Sequence, residues 1–182
     1  MIVFTGHQVD PPGRTEPRFP PGKESLAKGA IREAVQQELA RWGRAVGMAG
    51  AASGGDILFH EVCAELEMPT RLYLALTADV YVMGSVAPAG PDWVRRFWAL
   101  VSRLPSAPVL ARAREDSSIW QRNNLWILEE ALADGAGSVT LIALWNGKPG
   151  DAPGGTADMI ESAQARGAET RILDSNLIFG LQ

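Results

Sequence analysis

Residues 139–173 read VTLIALWNGKPGDAPGGTADMIESAQARGAETRIL. Val139–Trp145 is a continuous apolar run rich in β-formers, and Asn146 to Gly155 is broken by glycine and proline. Ala157–Arg166 then has the spacing of a helix, and Thr170–Leu173 returns to a β-rich run. A strand, a helix and a second strand joined this way form a βαβ unit, which places the two strands parallel. The same alternation extends back to the start. Ile2–Thr5, Ala45–Ala49, Arg71–Leu76 and Val109–Ala113 are further expected strands, six in all. Between them, Ser25–Gly43 carries Ile31, Val35 and Leu39 on one helical face, and Ile57–Met68 carries Phe59, Val62, Cys63 and Leu66. Helices are also expected over Asp92–Leu104 and Ile119–Asp134. The expectation is an α/β, Rossmann-like three-layer sandwich with a mainly parallel sheet of about six strands. With no internal repeat or charged linker, residues 1–182 read as a single domain.

The 182 residues are 46% apolar and 21% charged, enough to bury a core. Glycine and proline number 19 and 12, a modest excess, and 19 of these 31 fall in four clusters at residues 11–22, 54–55, 84–91 and 147–155. Each cluster is expected to follow a strand and precede a helix. In an open α/β sheet such loops line the crevice at the carboxyl ends of the strands, so a ligand site is expected there. A net charge of −4 argues against non-specific nucleic-acid binding. A single cysteine, Cys63, excludes an internal disulfide, and no leader or membrane span is legible, so the expected setting is cytoplasmic. With two histidines and no Cys/His spacing, neither a metal site nor a cofactor is expected.

Within the loops, Gly154-Gly155-Thr156 at a helix start can hold a phosphate on backbone N–H groups and a hydroxyl, or can be an ordinary capped loop. Gly54-Gly55-Asp56 leaves room near the backbone; Asp56 can cap the helix, accept from ribose hydroxyls or act as a catalytic carboxylate. Glu61 is an exposed helix residue or a second catalytic carboxylate. The first loop offers Gly6 for a turn beneath a ligand, His7 as acid/base or polar contact, and Arg14 and Arg18 as bidentate donors to phosphate. Asn123 and Asn124 can read a base edge or be polar surface residues, and Trp145 at a strand end can belong to the core or an interface or stack on a base.

Taken together, Phe4-Thr5-Gly6-His7 with Arg18-Phe19-Pro20, Ala51-Ala52-Ser53-Gly54-Gly55-Asp56-Ile57-Leu58-Phe59 with Glu61, and Ala143-Leu144-Trp145-Asn146-Gly147 with Pro153-Gly154-Gly155-Thr156-Ala157-Asp158 resemble a SLOG-type Rossmann-like domain. That superfamily groups LOG-type phosphoribohydrolases, DprA-like proteins and predicted sensors of nucleotide-derived ligands. The resemblance implies a nucleotide or nucleotide-derived small molecule at the carboxyl edge of the sheet, a homodimer, and a phosphate on Gly154-Gly155-Thr156. The chain departs from the LOG pattern PGGxGTxxE: three residues after Thr156 stands Met159, and Glu161 lies two further on. An N-glycosidic-bond hydrolase or transferase is the alternative expectation. In its deoxyribosyltransferase-like form, Asp56 or Glu61 attacks the anomeric carbon.

Overall fold

A computed structural model describes residues 1–104, 118–133, 135–150 and 153–181. The order along the chain is β1 (Ile2–Gly6), α1 (Glu24–Trp42), β2 (Gly47–Ala49), α2 (Gly55–Glu65), β3 (Thr70–Leu72), α3 (Ala78–Ser85), α4 (Pro91–Arg103), α5 (Ile119–Leu132), β4 (Thr140–Trp145), α6 (Thr156–Ala165), β5 (Glu169–Asp174) and α7 (Ser175–Phe179). Short 3-10 turns precede α4 and β4. All strand pairs are parallel, in the order β3-β2-β1-β4-β5. The five-stranded α/β sheet flanked by helices is the expected Rossmann-like sandwich. Among the described residues it has one strand fewer than expected, because Val109–Ala113 lies outside them.

Side chains along a strand alternate between its faces, and the packing follows that period. Ile2 and Phe4 of β1, with Ile142 and Leu144 of β4, join one core with Ile31 of α1, Leu58 of α2 and Phe97 of α4. Val3, Leu141 and Ala143 point the other way and pack with Leu128 of α5 and Met159 of α6. Both faces of the sheet are therefore covered, as an all-parallel sheet requires. Phe4 stacks on Phe59 of α2 with centroids 4.9 Å apart, a contact that contributes about 1 kcal/mol beyond its buried area and fixes α2 over β1.

One buried charge also joins the layers. Glu38 of α1 is 4% exposed. Its Oε2 accepts from the Thr140 hydroxyl at 2.8 Å and from the Trp42 indole at 3.1 Å, while Arg171 of β5 stands 3.6 Å from Oε1. That network clamps α1 to the base of β4 and β5.

The chain runs outward from β1 through β2 to β3, then returns to the other side of β1 for β4 and β5. The order thus reverses between β1 and β4. A crevice opens at such a switch point, outside the carboxyl ends of those two strands.

Candidate functional site

The carboxyl ends of β1 and β4 are Gly6 and Trp145, followed by His7 and Asn146. His7 Nε2 lies 3.1 Å from both the backbone N and the side-chain Oδ1 of Asn146, so either tautomer of the ring is hydrogen-bonded to that residue. Burial above all pushes this imidazole down to about 4, helped by Arg18 and Arg14 and opposed by Asn146 and Asp10, so His7 is neutral at physiological pH. It ties the two strand ends together and is not a cation for phosphate.

A cleft of about 540 Å³ opens over these ends. Its floor and one wall include Gly6, His7, Asp56 and Tyr81; Arg14 and Arg18 stand on the first loop, and Asn123, Trp145, Gly154, Gly155 and Thr156 complete the opposite side. Five of the chain's segments thus bring most of the expected residues to one place. Gly54, Gly55 and Glu61 are the candidates that do not line it.

The first loop is shaped by Asp10, a buried carboxylate that the sequence did not single out. Its Oδ2 accepts from the backbone N–H groups of Arg18 at 2.8 Å and Phe19 at 2.9 Å, and Arg14 Nε lies 3.5 Å from Oδ1. The Asp10 N–H in turn donates to Phe19 O at 2.8 Å. One aspartate therefore closes the long loop on itself and presents Arg14 and Arg18 to the cleft.

The second loop corrects the reasons assigned to its glycines and to Asp56. Gly54 has φ +91°, and a Cβ there would stand 2.8 Å from His7 O and 2.9 Å from Val9 N. A Cβ on Gly55 would meet Gly6 Cα at 3.0 Å. These glycines let α2 approach the β1 loop, and the Gly55 N–H is spent on His7 O at 3.1 Å. No ligand is needed to explain them. The N-cap of α2 is Gly54, so Asp56 does not occupy the capping position. Its Oδ2 accepts from Ala52 N–H, four residues back, at 3.2 Å. Burial pushes the Asp56 carboxyl up to about 7, against the pull of that N–H. Tyr81 of α3 stands over the same spot: its hydroxyl accepts from Ala51 N–H at 3.3 Å and is hydrogen-bonded to Ser85. Burial first, and the nearby Asp56 second, raise the Tyr81 phenol. Tyr81 belongs to a helix that the sequence reading leaves unassigned, so the third glycine and proline cluster follows α3 and not a strand; Gly84, Ser85 and Pro88 nevertheless reach the cleft.

The late loop is braced from α5. Asn124 Nδ2 donates to Gly154 O at 2.9 Å, Ser118 Oγ to Pro153 O at 3.2 Å, and Gly154 N–H to Asp158 Oδ2 at 2.6 Å. The Gly154 amide is thus occupied by a carboxylate, so it is not a donor that this loop could offer to an anion; the first-turn amides of α6 and the Thr156 hydroxyl are the donors that could serve. The Trp145 indole N–H donates to Lys148 O at 2.7 Å.

Asn123 is different. Its side chain is on the cleft wall, the residue is 5% exposed, and its Oδ1 has no hydrogen-bond partner among the described residues. Glu61 faces elsewhere. Both its oxygens accept from Arg96 of α4, at 2.8 and 2.7 Å, in a second cleft between α1, α2 and α4. Arg96 itself stacks 4.0 Å over the Trp93 ring. Asp56 and Glu61 therefore do not form a carboxylate pair at one site.

Among the described residues no cluster of three or more metal-ligating side chains occurs, and no helix is long and apolar enough to cross a membrane. No model of a known protein family matches the chain, and no curated protein matches it either.

Proposed function

We propose that this chain binds a nucleotide or nucleotide-derived small molecule in the cleft between the ends of β1 and β4, as a sensor or specificity module. Asn123 carries the reading. A buried amide oxygen without a partner costs about 1–3 kcal/mol, and a ligand donating to it inside the cleft offsets that cost. The rest of the cleft suits an anionic ligand with a flat, neutral end: Arg14, Arg18 and the α6 first turn for phosphate, the indole of Trp145 for stacking. Resemblance to SLOG-type domains points to the same class. Glycosidic-bond cleavage is the second reading, favoured by an Asp56 carboxyl poised at about 7 inside the cleft, the range useful to a general acid or base.

Thermal-shift titration with AMP, GMP, CMP and UMP tests the binding reading. At least one is expected to raise the melting temperature, and Gly155→Trp, which fills the cleft mouth, is expected to remove that shift while the variant still melts cooperatively. An unchanged shift in Gly155→Trp sinks this pocket. Free base and ribose 5-phosphate in the same mixtures, lost in Asp56→Ala, would move the protein to the enzyme reading.

A further inference from the structure

The glycine at position 50 shows how tightly the Asp56 carboxyl is held. A Cβ there would stand 2.7 Å from Asp56 Oδ2 and 3.3 Å from the Tyr81 hydroxyl, so a larger residue at 50 would displace this carboxyl. Oδ2 is anchored by the Ala52 N–H, and the carboxyl faces the cleft. The titratable groups packed around it are few. Tyr81 faces it from α3; His60, one turn along α2, is bound to Gly50 O at 3.0 Å; His7 lines the same cleft from the β1 loop. Burial holds both imidazoles near 4, so neither carries a compensating charge at neutral pH. Arg14, Arg18 and Asp10 act on His7, whereas burial and the Ala52 amide are what act on Asp56. A carboxylate in this position would face an uncharged phenol and backbone, with no cation among the described residues to hold it.

We propose that Asp56 meets the ligand as a neutral carboxylic acid that donates a hydrogen bond to a lone pair on the ligand's uncharged end. This rests on the nucleotide-ligand reading and narrows it. The ligand's anionic group lies toward Arg14, Arg18 and the α6 turn, and its other end presents an unprotonated acceptor to Asp56 and a donor to Asn123 Oδ1. A nucleobase, with its unprotonated ring nitrogens and its amino or imino N–H groups, offers both that acceptor and that donor. The acid also removes a difficulty, because a charged Asp56 in this cleft would repel a phosphorylated ligand.

The test is calorimetric titration with AMP at about pH 6 and about pH 8, on the wild type and on Asp56→Asn, whose amide N–H donates at every pH. The acid form falls from about nine-tenths to about one-tenth of the protein over that interval, so the wild type should bind about tenfold more weakly at the higher pH. The phosphate of AMP also titrates near 6, but that contribution is common to both proteins. The quantity read is therefore the wild-type ratio divided by the Asp56→Asn ratio, expected near ten; a value near one overturns the proposal. If Asp56→Asn does not fold, the carbon-13 resonance of the Asp56 carboxyl in the wild type gives the same answer. Saturating AMP should move its titration to higher pH, and a shift downward or none overturns the proposal. If AMP, GMP, CMP and UMP all fail to bind the wild type at both pH values, the nucleotide reading itself falls and takes this inference with it.

Discussion

Asp56→Asn should stabilise the free protein, and only at higher pH. In the folded chain burial raises the carboxyl from 3.8 to about 7. Its folded value lies above its unfolded one, so between about pH 4 and about pH 7 the unfolded chain releases this proton while the folded chain keeps it. The slope of stability with pH is then negative over that window, and flat on either side of it. A displacement of that size is worth about 4 kcal/mol, and water in the cleft reduces it because Asp56 is partly reachable from there. Asparagine keeps an oxygen to accept from Ala52 N–H and has no proton to lose. The variant should therefore match the wild type near pH 4 and exceed it by about 2–4 kcal/mol near pH 8, which moves a urea midpoint by about 1–2 M. Urea unfolding followed by tryptophan fluorescence at both pH values measures this directly. Other carboxylates contribute equally to both proteins, so the difference between them isolates Asp56. A difference independent of pH would refute the reasoning, since it would mean that the carboxyl is not held in its acid form. A stabilising substitution at a cleft-lining position is also what a site that trades stability for function would show.

Gly154→Ala should destabilise by about 2–5 kcal/mol in the same assay: the backbone has φ +89°, which costs a non-glycine residue about 1–2 kcal/mol, and the new Cβ would lie 2.4 Å from Gln121 N and 2.6 Å from Trp120 Cβ. A loss below about 0.5 kcal/mol would show that the loop does not rest on α5. Glu38→Ala strands the buried Thr140 hydroxyl and removes the ion pair to Arg171, so about 1–3 kcal/mol should be lost by denaturant unfolding. A loss within the ordinary surface range of about 0.5 kcal/mol would remove Glu38 as the clamp between α1 and the sheet.

The architecture was legible because strands and helices have different periods. Where boundaries moved, neighbouring strands moved them. The run Arg71–Leu76 has the composition of a six-residue strand, yet β3 ends at Leu72, because its partner β2 ends at Ala49 and the chain turns away at Gly50. An edge strand can only be as long as the neighbour that pairs with it, and sequence composition does not carry that length. Ala78–Ser85 escaped because Val80, Tyr81 and Val82 sit beside each other as they would in a strand, with Gly84 near the end. Its buried residues Tyr81, Val82 and Ser85 nevertheless fit one helical face.

The site shows the same division between what lies along the chain and what meets across it. Glycine positions marked the loops, but Gly6, Gly54 and Gly55 answer to one another and to His7, contacts between segments about fifty residues apart. Asp56 and Glu61 were grouped as catalytic candidates, although five residues at about 100° each place them about 140° apart around a helix. That geometry alone separates a residue facing the sheet edge from one facing α4, and Arg96 completes the separation from the other side. Asn123 and Asn124 divide by helix rotation: one step along α5 turns Asn124 to brace Gly154 O and leaves Asn123 Oδ1 without a partner among the described residues. A short segment of helix therefore specifies which of two like residues holds the loop and which is left with an unpartnered oxygen among the described residues. What it leaves out is the partner, because Gly154 and Arg96 approach from 30 and 35 residues away.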